Sequence, residues 1–158
     1  MRKFLAGLML AIMLTTSMGC ATWWANFKAN PAAQVAAVVD TIHTIVNIAD
    51  IVFGTIKPQI PQADQADAQA AFDKAVLAVN HAVGVLQAAV QTAVDQGQGL
   101  DISKLFADAT KAADELQALI DALRAKQTPA AATMIGVSQN QSHDELVFQI
   151  GLLHRQTK

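Results

Sequence analysis

From residue 31 onward, apolar residues return in steps of three and four, the spacing of one face of an α-helix. The first stripe is Val35, Val38/Val39, Ile42, Ile45/Val46, Ala49, Val52/Phe53 and Ile56, with Asp40, Thr44, Asn47 and Gly54 on the opposite side. Asn30-Pro31 is a start signal, since Asn caps a helix and Pro suits its first position. Lys57-Pro58 is a stop. The β-branched content of this stretch suits strands, but period two is absent. The turn Lys57-Pro58-Gln59-Ile60-Pro61-Gln62 is held by two prolines. Asp64 or Asp67 then caps a second helix with the stripe Phe72, Val76, Val79, Val83, Leu86, Val90 and Ala93/Val94, closed by Gly97. Asp101 opens a third, with Ile102, Leu105/Phe106, Ala109, Ala112/Ala113, Leu116, Leu119/Ile120 and Leu123 on its apolar face. Lys111 and Glu115 stand one turn apart as an ion pair, and Arg124 and Lys126 meet the negative end of that helix.

The pattern predicts helices over about residues 31–57, 64–96 and 102–126. Short connections between long helices force antiparallel neighbours. The expected fold is therefore all-α, an antiparallel up-down-up three-helix bundle over residues 31–126 with coiled-coil-like seams. The steps average about 3.5 residues, which implies a slight left-handed supercoil.

Residues 127–158 are less regular. Val137-Ser138-Gln139-Asn140-Gln141 reads as flexible. Ser142 with Glu145 makes a capping box, followed by an apolar face of Leu146, Val147, Ile150 and Leu153. A short helix over residues 143–155 is expected; the alternative is a hairpin of residues 134–138 with 146–152.

Composition narrows the functional classes. One domain suits a chain of 158 residues. Four of the five methionines (Met1, Met9, Met13 and Met18) lie at the N-terminus, so the positive mean hydropathy of +0.29 owes part of its size to that segment. The formal charge of −2 becomes −4 once Arg2 and Lys3 are set aside, which leaves no electrostatic footprint for nucleic acid.

Residues 1–19 read as an address. Arg2 and Lys3 precede an almost wholly apolar run, residues 4–14, of the length of a secretory h-region and short of the roughly 20 residues of a spanning helix. Ser17 and Gly19 are small and precede Cys20, the one cysteine of the chain. This stretch resembles the signal peptide of a bacterial lipoprotein. Gly19-Cys20 carries the match; Ser17 stands where the family usually has Leu or another aliphatic residue, and Met18 is also off the pattern. The resemblance covers the first twenty or so residues only. It implies cleavage before Cys20, diacylglyceryl transfer to its sulfur and acylation of the new amino end. Ala21, which is not Asp, implies export to the outer membrane of a Gram-negative cell. Two other readings stay open: ordinary cleavage after Gly19 or Ala21, giving a secreted or periplasmic soluble protein, and an uncut N-terminal anchor. A lone cysteine in an exported chain forms no internal disulfide, and lipidation removes the exposed thiol.

Residues 20–30 then form a tether carrying Trp23, Trp24 and Phe27. Indole rings favour the headgroup level of a bilayer, and these three residues are the membrane-interface candidates; they serve equally to cap the open end of a helical bundle.

No chemistry-bearing pattern emerges. Asp40 and His43 lie three apart on one helix, but a di-iron bundle needs Glu-x-x-His twice with further glutamates. Glu115 and Glu145 are the only glutamates, and neither fits. His143-Asp144 reads as an exposed helix start. No nucleophile elbow or phosphate loop occurs. The sequence thus predicts no enzyme, no cofactor and no metal. It points to an envelope lipoprotein held in the membrane by acylated Cys20, acting as a structural or protein-interaction module with an envelope protein partner. The alternatives are a carrier of an apolar ligand in the bundle core, and a phage-type lysis or exclusion lipoprotein.

Overall fold

The structure, a computed structural model, describes residues 31–96, 102–127 and 137–157. Four helices account for nearly all of them: α1 Pro31–Ile56, α2 Gln65–Gln96, α3 Ser103–Ala125 and α4 Val137–Gln156. No strand occurs among the described residues, so the all-α class stands. An N-terminal signal helix, Asn30 and Asp101 lie outside them. The cap position of α3 falls on Ile102, without a side-chain cap.

Helix α1 gives way at Ile56 to a 3-10 turn, Lys57–Gln59, that accommodates Pro58. Pro61 then opens a second such turn, Gln62–Asp64, which leads directly into α2. Asp64 therefore ends a 3-10 turn, and Asp67 sits in the first turn of α2. The two-proline link is anchored from inside. Ile60 is 2 % exposed and plugs the end of the core, and Gln65 Nε2 donates to its carbonyl at 3.0 Å.

The cross-helix contacts give the directions. Phe53 of α1 stacks on Phe72 of α2, centroids 4.1 Å apart and planes 5° from parallel. One turn further along α1, Lys57 Nζ donates to Gln69 Oε1 at 2.6 Å, so α1 and α2 are antiparallel. On α3 and α4 the numbers run oppositely: Thr110 meets Thr157, Asp114 His154, Asp121 His143 and Arg124 Asn140. Gln127 Nε2 donates to Gln59 Oε1 at 3.0 Å, which brings the end of α3 to the end of α1. At the opposite pole Thr41 Oγ1 meets the side-chain amide of Gln156 at 3.1 Å. The arrangement is up-down-up-down. Helix α1 packs on the other three, touching α3 across the diagonal.

The tail helix expected over residues 143–155 is present, longer than expected, and packs as a fourth helix beside the three expected over residues 31–126. The tail is neither a hairpin nor a short appendage. Residues 137–141, read as flexible, are helical, and Ser142 lies inside α4 rather than at its cap. Ser, Asn and Gln are indifferent helix formers, and tertiary contacts such as Arg124 Nη2 to Asn140 Oδ1 at 3.1 Å override that weak local preference. Residues 134–136 lie outside the described part.

The stripes read from the sequence form the core. Ile42, Ile45, Ala49, Val79, Leu86, Ala113, Leu116, Ile120, Leu146 and Leu153 are all 0 % exposed. Helix α1 buries the broadest face because it has three neighbours. Helices α2 and α3 also bring small residues to the core: Ala109 and Ala113 are buried, and Ala75, Ala82 and Ala112 pack against it. Small side chains let the two backbones approach closely. Val147 departs from its expected place and is 42 % exposed; α4 uses Leu146, Ile150 and Leu153 instead. Leu146→Ala should cost about 2–5 kcal/mol, the usual range for such a cavity in a core. A chemical-denaturation midpoint equal to that of the wild type would show that α4 is not part of the cooperative unit.

Candidate interaction surfaces

Cys20, Trp23, Trp24 and Phe27, the lipidation and membrane-interface candidates, lie outside the described residues. Asp40 and His43 are exposed on α1 and are not gathered with further ligands; among the described residues no group of three His, Cys, Asp or Glu side chains comes together.

His81 is exposed on α2, whereas His143 and His154 of α4 each meet a carboxylate of α3. His143 is not an exposed helix start. It sits within α4, its side chain 16 % exposed, with Nε2 2.7 Å from Asp121 Oδ1 of α3. Asp144, its sequence neighbour, is a more distant contact at 3.9 Å. Three turns on, His154 Nε2 lies 2.8 Å from Asp114 Oδ1. The helical repeat explains the match. Asp114 and Asp121 are seven apart, and His143 and His154 eleven apart, so each pair shares a face. The ring nitrogen that meets the carboxylate carries the proton when the imidazole is neutral, which fixes the tautomer at Nε2. At the end of this seam Thr110, 7 % exposed, donates to Thr157 Oγ1 at 3.2 Å, and Thr157 donates to the Leu153 carbonyl at 3.0 Å. No buried side-chain nitrogen or oxygen among the described residues lacks a partner. The seam is thus a closed polar zipper between helices. It orients α4 and leaves no donor or acceptor aimed at a ligand.

The Lys111–Glu115 pair read from the sequence is present at 3.8 Å, with side chains 75 % and 63 % exposed. Water and salt screen such a pair, so it contributes little to stability.

Among the described residues, a groove of about 410 Å³ runs between α1 and α2. Val46, Phe72 and Val76 form its apolar part, and Leu77 stands on its rim at 69 % exposure. Asp50 and Asn47 of α1 and Asp73 and Asn80 of α2 supply the polar lining. Asp73 Oδ1 accepts from Gln69 Nε2 at 2.7 Å, and Gln69 in turn accepts from Lys57. Elsewhere the large apolar residues Ile51, Val85, Val147 and Phe148 are exposed.

Residues 32–59 and 62–93 are each long and apolar enough to cross a membrane by length and composition, with mean hydropathies of 1.6 and 1.3. Both are helices of the bundle, and core helices meet the same description.

The fold and its surfaces define an all-α four-helix bundle whose polar groups work between helices. No family model, no curated protein and no solved structure matches this chain.

Proposed function

We propose that the protein is a lipoprotein of the bacterial cell envelope, moored by acylated Cys20 to the periplasmic face of the outer membrane, and that its helical bundle acts there as a structural or protein-interaction module without catalysis. The observation that carries this reading is the N-terminal sequence. Arg2-Lys3, the apolar residues 4–14, and Ser17-Met18-Gly19-Cys20 follow one another in the order that lipoprotein export and acylation use. Trp23, Trp24 and Phe27 follow at once and suit the headgroup layer. A helical body supports the second half of the reading. His143, His154 and buried Thr110 are spent on holding α3 and α4 together, while Leu77, Ile51 and Phe148 are left at 69 %, 58 % and 52 % exposure for contact with something else. A bundle that leaves several large apolar side chains on its surface is suited to contact with another protein.

Mass spectrometry of the mature N-terminus tests the anchor. The expected first residue is Cys20 carrying acyl mass. A first residue of Met1 or Thr22, or an unmodified Cys20, would remove the membrane from this function.

A further inference from the structure

We propose that the α1/α2 groove is the docking site for a basic amphipathic helix of a partner protein, an inference that rests on reading the chain as an interaction module. Three features converge on that partner. The groove has an apolar floor in Val46, Phe72 and Val76, with Leu77 held out at its rim. It carries carboxylates on both walls. Phe53 lies across from Phe72, which puts Asp50 and Asp73 within about one helical turn of each other along the groove. Their charges are not answered locally. Lys57, one turn on from Phe53, donates to Gln69, and no lysine, arginine or histidine lines the groove. Lys74, next to Asp73, is exposed and outside the lining. Gln69 occupies one oxygen of Asp73, and Asp50 has no hydrogen bond among the described residues.

The dimensions suit a helix. From Phe72 to Asn80 the α2 wall runs just over two turns, about 12 Å. A partner helix laid along it places one apolar residue against Val76 and Leu77. Its Lys or Arg one turn away reaches the Asp50/Asp73 end, and a polar residue reaches the Asn80 end. Apolar anchors at helical spacing in a groove are a recurrent mode of helix recognition. Charge complementarity supplies direction and discrimination, and the acidic balance of the chain draws a cationic partner in.

The test uses the full mature chain in zwitterionic nanodiscs and a synthetic helix of Leu and Lys at amphipathic spacing, labelled for anisotropy and bearing a photo-cross-linker. Cross-links are expected on residues lining the groove, with none from a Leu/Glu counterpart. Asp50→Asn with Asp73→Asn should weaken binding about tenfold, the size that two solvent-exposed charge contacts supply. Asp108→Asn with Asp144→Asn removes the same charge from other exposed positions and should leave affinity unchanged. All four aspartates are exposed, so the helical circular-dichroism signal should stay the same in both variants. Cross-links clustered around Phe148, or equal weakening by the two double variants, would overturn the groove assignment. A parallel cross-linking capture in cells separates the two levels of the argument. A partner held equally by wild type and by the Asp50/Asp73 variant sinks the groove but keeps the interaction module. No partner on the wild type sinks both.

Discussion

Val79→Asp should abolish the helical circular-dichroism signal at neutral pH. Val79 is 0 % exposed at the centre of the α2 stripe, surrounded by the shared core of the bundle. The change removes a buried apolar side chain, worth about 1.5–3 kcal/mol of transfer free energy. It also places a carboxylate where neither water nor a cation can reach it, at a further cost of several kcal/mol. A domain of this size has about 5–15 kcal/mol of stability to lose. Leu77→Asp, two residues earlier on the same helix, is the matched control. Leu77 is 69 % exposed, and its replacement should stay within about 0.5 kcal/mol of wild type. Both variants put the same side chain into the same helix, so propensity cancels and burial alone distinguishes them. Equal thermal melting of the two would show that the assigned core face of α2 is wrong.

The second large effect concerns the anchor. Cys20→Ser should abolish incorporation of labelled fatty acid and remove the protein from the outer-membrane fraction. Each buried methylene contributes about 0.8 kcal/mol of membrane affinity, and one acyl chain alone gives only marginal, reversible binding. Two or three chains on Cys20 hold the protein firmly, and a serine at that position receives none of them. Without acylation, the apolar run of residues 4–14 is too short to span a bilayer. Fatty acid persisting on the Cys20→Ser chain, or unchanged fractionation, would contradict the proposed anchor.

Much of the core was legible before any coordinates. Val38, Ile42, Ala49, Val79, Leu86, Phe106, Leu116 and Ile120 were placed by period alone, because a helix with one wet side repeats its apolar residues every three or four positions. The fourth helix was harder. Its apolar face is thin, with Leu146, Ile150 and Leu153 as its buried anchors, and its first turns are Ser, Asn and Gln, which favour loops when judged locally. What makes them helical lies on α3, out of reach of any local window. The inter-helix histidines were missed for a related reason. Asp40 and His43 were weighed as neighbours on one helix, while the true partners, Asp114 with His154 and Asp121 with His143, lie 40 and 22 residues apart. A signal was present in the seven- and eleven-residue spacings, which mark two acidic and two imidazole positions on single faces. Ile60 escaped notice because the two prolines beside it mark a turn, and turns are read as wet. The α1/α2 groove depends on the register between two helices, which one sequence does not encode in any short pattern.

The up-down-up-down order has a practical corollary for anyone labelling this protein. The end of α4 lies beside Thr41, ten residues into α1 and nearer its start than its end. Under the proposed anchor, a fluorophore or affinity handle appended after Lys158 is joined to the half of the bundle nearer the start of α1, the end that follows Cys20 in sequence. The 3-10 link around Pro58 and Pro61 lies at the other end of α1, about 24 Å along the helix from Thr41. An inserted tag there, beside exposed Gln62 and Ala63, is expected to stay clear of the end that the proposed anchor holds.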